Sequence, residues 1–167
     1  HHHYLNQPDD FLHPMDQNGV WGDFSSMMIF KPAKDDEPKV TFLQQMYKFH
    51  MEGIHTFTSV MNGSDIFHYY QSQYEKMKLS LEDARNNVGH TISSGPKEDP
   101  EGEDKRIFLD GENTTPISNL VWAIEPGGYK KVNDEILVGR FEDCIFIPEN
   151  GKAVILGRKK RLPFAVL

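Results

Sequence analysis

An α+β domain, with two helices from the N-terminal half set against a mainly antiparallel sheet, is the fold this sequence predicts, and three observations predict it. Residues 119–160 are dominated by short β-prone runs separated by turn residues. Two earlier segments repeat apolar residues at intervals of three and four, the spacing of one helix face. No apolar run approaches the roughly 20 residues that cross a bilayer, and a composition of 38% hydrophobic and 26% charged residues suits a soluble globular chain. At 167 residues one domain is expected. A chain of that size buries roughly 70% of its unfolded surface, enough for a core without staples.

Taken in order, His1–His3 read as an affinity-tag remnant, and Tyr4 is no natural start, so the chain is expected to begin inside a longer one or after a cleavage point. Residues 4–25 are polar and turn-rich, an irregular lead-in to a single α+β domain over 26–167. The run SMMIF predicts a strand over 26–31, stopped by Pro32. Val40, Phe42, Leu43, Met46, Tyr47 and His50 lie on one helical face, which predicts a helix over 40–52 ending near Gly53. TFTSVM is β-branched and aromatic and predicts a strand over 56–61, closed by the Asn62-Gly63 turn.

A second helix is expected over 64–88, capped by Ser64 or Asp65. Its stripe runs Ile66, Tyr70, Tyr74, Met77, Leu81, Ala84 and Val88, with Gly89 as the terminating residue. One helix packed on a sheet suits this stripe better than a coiled-coil seam. HTISSGPKEDPEGED predicts a mobile loop over 90–105. Strands are then expected at Arg106–Leu109, Leu120–Glu125, Val132–Val138, Phe141–Ile147 and Ala153–Leu156, with turns at Pro126-Gly127-Gly128 and Glu149-Asn150-Gly151.

A net charge of −7 argues against a duplex nucleic-acid binder, which needs a basic face to displace counterions. One cysteine, Cys144, excludes an intrachain disulfide and a thiolate metal cluster, and its apolar strand setting reads as a small hydrophobe rather than a nucleophile. HMEGIH places His50 and His55 five apart with Gly53 between, where a zinc-binding helix needs them four apart. His68 and His90 add nothing at ligand spacing, so no metal is expected. DQNGVWGD lacks the carboxylates of a calcium loop, and the basic run Arg158–Arg161 reads as a solvated strand end.

The order of elements resembles the mono-ADP-ribosyltransferase toxin fold of the cholera, pertussis and scabin type. IFKPAKDDEPKVTF is similar to that family's first strand, with Lys31 where the family has arginine. YKFHMEGIHTFTSV is similar to its histidine, glycine and Ser-Thr-Ser strand, through His50, Gly53 and Thr58-Ser59. VWAIEPGGYKKVN and FEDCIFIPENGKAVILG resemble its closing strands. No arginine precedes Arg85, and the family's Glu-x-Glu reads Glu142-Asp143-Cys144 here. The resemblance implies NAD as cofactor, held by Lys31, His50 and Thr58. It implies Glu142 as the carboxylate that stabilises an oxocarbenium-like centre, with Ser59 orienting it. It also implies a secreted or injected effector acting on a protein target.

The alternative is a non-enzymatic immunity or regulatory protein that neutralises a basic partner through its net charge and the acidic segment Glu98–Asp104. Neither alternative calls for a membrane.

Overall fold

The computed structural model describes residues 28–29, 37–81, 87–92, 106–132, 135–156 and 165–166. Its elements, in order, are β1 (Met28–Ile29), α1 (Glu37–Thr56), α2 (Gly63–Met77), β2 (Ser80–Leu81), β3 (Asn87–Thr91), β4 (Phe108–Asp110), β5 (Val121–Ile124), β6 (Gly127–Val132), β7 (Glu135–Arg140), β8 (Asp143–Phe146), β9 (Val154–Ile155) and β10 (Ala165–Val166). The expected class holds: two helices pack on a mainly antiparallel sheet.

Helix α1 starts earlier and ends later than the spacing suggested. Glu37 in its first turn complements the positive end of the helix dipole, and Pro38 is tolerated there because the first N–H groups have no intrahelical acceptor. The buried face is Phe42, Leu43, Met46, Phe49, His50, Gly53 and Ile54. Gly53 therefore lies inside the helix instead of ending it. A Cβ there would sit 2.6 Å from the Tyr69 ring, so glycine is what lets α2 approach so closely.

Helix α2 is capped by Asn62, two residues before Ser64, with Asp65 closing a reciprocal capping box instead of capping the helix itself. It ends at Lys78, whose backbone is left-handed (φ 53°), eleven residues before the expected end at Gly89. Leu81 and Val88, read as the far end of a helical stripe, belong to β2 and β3. A strand that buries apolar side chains mimics a helical spacing over so short a run. Gly89 lies in β3, where a Cβ would fall 2.1 Å from the carbonyl oxygen of Ala123 on β5. Backbone approach, rather than helix termination, is the reason for glycine there.

The strand expected over 56–61 does not form. Thr56 is the last residue of α1, and Thr58 makes an isolated bridge to Lys152. Gly127 and Gly128, expected as a turn, begin β6 and pair with Arg140 and Gly139; the strand expected over 132–138 is split between β6 and β7. Met28–Ile29 does pair with the C-terminal end of the chain, but parallel to β10. Of the loop expected over 90–105, His90 and Thr91 lie in β3. Residues 93–105, the basic run at 158–161 and the lead-in before residue 28 lie outside the described residues.

The main sheet has the order β4-β3-β5-β8-β9, with a three-stranded sheet β2-β6-β7 beside it. Helix α2 packs on β3 and β4, and α1 on β7. One core cluster joins both helices to the main sheet through Phe49, Tyr70, Trp122, Ile124 and Ile145, among others.

A candidate active site on the outer face of the sheet

Among the described residues, five polar or charged side chains are buried within this frame: His50, His90, Glu125, Glu142 and Asp143. Strand alternation sorts them. Successive residues of β8 point to opposite faces, so Asp143 and Glu142 cannot share a side. Asp143 turns toward the helices. Its Oδ2 lies 3.0 Å from His50 Nε2 on α1, and His50 Nδ1 lies 3.2 Å from the hydroxyl of Tyr70 on α2. A proton on Nε2 satisfies the whole chain, with Nε2–H donating to Asp143 and the Tyr70 hydroxyl donating to Nδ1. Burial is the main cause that pushes the Tyr70 phenol well above its ordinary value, followed by its neighbours Tyr74, Tyr69 and Asp143, which keeps that donor protonated.

Glu142 points away from the helices, to the outer face. The register pairs Ile124 with Asp143, so Glu125 and Glu142 occupy the next rung and share that face with His90. Glu125 follows β5, and its backbone N–H donates to the Val88 carbonyl at 2.9 Å, which locks its position beside β3. His90 Nδ1 donates to the Thr91 carbonyl oxygen at 2.9 Å. On the other side of the ring, Nε2 sits 3.5 Å from Glu125 Oε1. From β7, Arg140 brings Nη1 to 3.6 Å from Glu125 Oε2. An imidazole, a carboxylate and a guanidinium thus meet in a setting where His90 and Glu125 are less than a tenth exposed. Burial of His90 and Glu125 strengthens the charge interaction between them and Arg140.

The residues singled out by the transferase resemblance do not gather here. Ser59 lies in the turn after α1, and its N–H donates to the Gly151 carbonyl. Thr58 bridges Lys152 in the same region. Both stand at the Pro148–Lys152 end of the β8–β9 hairpin, and Glu142 precedes the other end of β8. Six residues of extended chain separate the two ends, on the order of 20 Å. Ser59 therefore cannot orient Glu142. His50 is fully buried and offers no surface to a cofactor. Lys31 lies outside the described residues.

His55 is exposed and does not join His50, and His68 is an exposed side chain bonded to Gln71. Cys144 is buried in β8. His90, Glu125 and Arg140 were missed because their positions in the chain are 35 and 15 residues apart. The available signal was local: a glutamate ending the apolar run Val121–Ile124, and a histidine beside the apolar Val88.

No protein-family model matches the sequence, and no curated protein does. Solved structures do match. A dipeptidase from Pyrococcus horikoshii OT3 superposes with a TM-score of 0.68 at 15% identity, over 89% of this chain and 38% of that one. The X-Pro aminopeptidase of Thermotoga maritima gives 0.63 at 15% identity, over 89% and 40%. The methionine aminopeptidase of Rickettsia prowazekii gives 0.59 at 24% identity, over 81% and 58%. The likeness is one of fold. These neighbours share the pita-bread fold of peptidases, and the chain spans about two fifths of the length of the first two.

The neighbours are peptidases and not ADP-ribosyltransferases, so the transferase resemblance is overturned. The toxin reading, the NAD cofactor and the non-enzymatic partner-binding alternative go with it. The physical reason is visible in the fold. The supposed Ser-Thr-Ser strand is a helix end and a turn, and its hydroxyl is remote from Glu142. The expectation of no metal also falls, since peptidases of this fold normally use divalent metals. The imidazole of His90 and the carboxylate of Glu125 have the right donor chemistry for such an ion. Among the described residues, however, no group of three or more His, Cys, Asp or Glu side chains is arranged to hold a metal. The described residues do not by themselves fit the ion. No helix among the described residues is long and apolar enough to cross a membrane.

Proposed function

We propose that the protein is a peptidase that hydrolyses short peptides, with its reacting groups on the sheet face that carries His90, Glu125 and Glu142. The observation that carries this reading is the His90–Glu125–Arg140 cluster, with His90 and Glu125 buried and Arg140 partly exposed, built on the sheet of a fold that the chain shares with a dipeptidase and two aminopeptidases. Peptide hydrolysis needs a group that takes a proton from water and groups that stabilise the oxyanion as it develops. In this reading Glu125 is the proton acceptor, and His90, held by the Thr91 carbonyl, sets the position of its carboxylate. Arg140 supplies positive charge beside the reacting carbonyl. Glu142 lines the same face and helps orient the peptide.

The test is amine release from a panel of di- and tripeptides, with and without added manganese or cobalt. Wild type is compared with Glu125→Gln and His90→Ala. The expected result is cleavage by wild type and a loss of roughly a hundredfold or more in kcat/KM for Glu125→Gln. Absence of cleavage under every metal condition, or a Glu125→Gln variant as active as wild type, sinks the reading.

A further inference from the structure

Residue 142 is flanked by two side chains that the same imidazole holds. His50 lies over Phe141 with ring centroids 6.4 Å apart and planes within 20°, and its Nε2 meets the Asp143 carboxylate at 3.0 Å. Tyr70 also stacks on the ring at 6.4 Å and meets Nδ1 at 3.2 Å, so α2 braces it too. Tyr47 adds an edge contact to Phe141 at 5.4 Å. Residues 141 and 143 are therefore both drawn onto the helices. By alternation, the residue between them is driven out onto the opposite face. His50, Phe141 and Asp143 are all buried, so the grip is rigid and dry.

An ordinary packing role does not account for a histidine here. Apolar side chains at both 50 and 143 would fill the same space without a buried carboxylate. Removing Asp143 and His50 together in favour of apolar groups is the substitution that core packing alone would favour.

We infer that His50, backed by Tyr70, is a positioning residue: by holding Phe141 and Asp143 against α1 it sets the direction in which Glu142 enters the His90–Glu125 face. It touches no substrate. The activity readout of this inference rests on the peptidase reading, and the spectroscopic readout does not.

Three variants test it: His50→Leu with Asp143→Leu, which removes the polar pair without stranding a buried carboxylate; His50→Gln, which keeps a donor toward Asp143; and Asp143→Asn. Each is followed by peptide hydrolysis and by the carbon-13 carboxyl resonance of Glu142, assigned through Glu142→Gln. In the double variant kcat is expected to fall roughly ten- to a hundredfold, with KM within about twofold, because misplacement of a group by an ångström costs on that scale. The Glu142 signal moves in the same variant, and His50→Gln stays within about threefold of wild-type kcat.

A folded double variant with wild-type kcat, or with an unmoved Glu142 signal, overturns the inference. Should the double variant not fold, Asp143→Asn is judged by the same two measures. If wild type cleaves no peptide, the peptidase reading fails by itself and the Glu142 resonance alone decides: displaced supports the positioning role, unmoved refutes it.

Discussion

At the scale of single residues, the aromatic packing between the helices makes a prediction about alkaline pH. Burial, with a smaller contribution from Glu52, pushes the Tyr69 phenol from 10.0 up to about 12, and burial also raises Tyr70 well above its ordinary value. A phenol whose folded value lies above its unfolded value binds its proton more tightly in the folded state. The stability it contributes is complete below pH 10 and is lost as pH climbs from 10 through about 12. Thermal melts from pH 9 to 12, with phenolate absorbance followed alongside, should show the melting temperature falling across that window. Buried phenols should ionise only as the protein opens; a melting temperature flat to pH 12 contradicts the assignment. The same scale shows where the candidate site was hidden. Glu142 was legible as a carboxylate on a late strand, but its supposed partner Ser59 was not, because a hydroxyl's place depends on where helix α1 ends. His90 looked like the first residue of a loop, and only its bond to the Thr91 carbonyl and its contact with Glu125 identify it as a held imidazole on the sheet face.

At the scale of elements, local chemistry governs the starts of helices better than their ends. Asn62 accepts from the Asp65 N–H at 3.0 Å, and the Asp65 carboxylate accepts from the Asn62 N–H at 2.9 Å. Asn62→Ala should lower stability by about 1 kcal/mol in urea unfolding, while Asn62→Asp stays within a few tenths. Equal loss in both variants would show that the cap is not what stabilises this helix start. The end of α2 was less legible. Nothing local stops a helix at Lys78, and the apolar spacing continues to Val88. What decides is the sheet: Leu81 pairs with Gly128, and Gly89 lies across from Ile124. The same competition removed the strand expected over 56–61. Its β-branched residues favour extension, but Ile54 and Phe57 are buried in the core by a continuing α1 and its last turn.

At the scale of the whole molecule, one core cluster joins both helices to the main sheet, and that continuity predicts a single unfolding transition. Trp122 reports on its centre, fully buried with Nε1–H donating to the Ile117 carbonyl at 2.9 Å. In a Trp21→Phe background, its fluorescence and the far-ultraviolet circular dichroism should change at the same urea concentration. Transitions that separate would show that the helices and the sheet unfold independently. The same architecture explains why a family likeness drawn from the order of elements failed. Short strands joined by Pro-Gly and Asn-Gly turns recur in many α+β folds, so their succession carries class and little more. By itself, the sequence determined the α+β class, most of the α1 face, the first turns of the α2 face and the strands near 120–125, 141–147 and 153–156, because apolar periodicity and turn chemistry are local quantities. Only the tertiary structure decided the strand order, the end of α2 and the meeting of His90 with Glu125 and Arg140, because pairing between distant segments is set by which faces can be buried together.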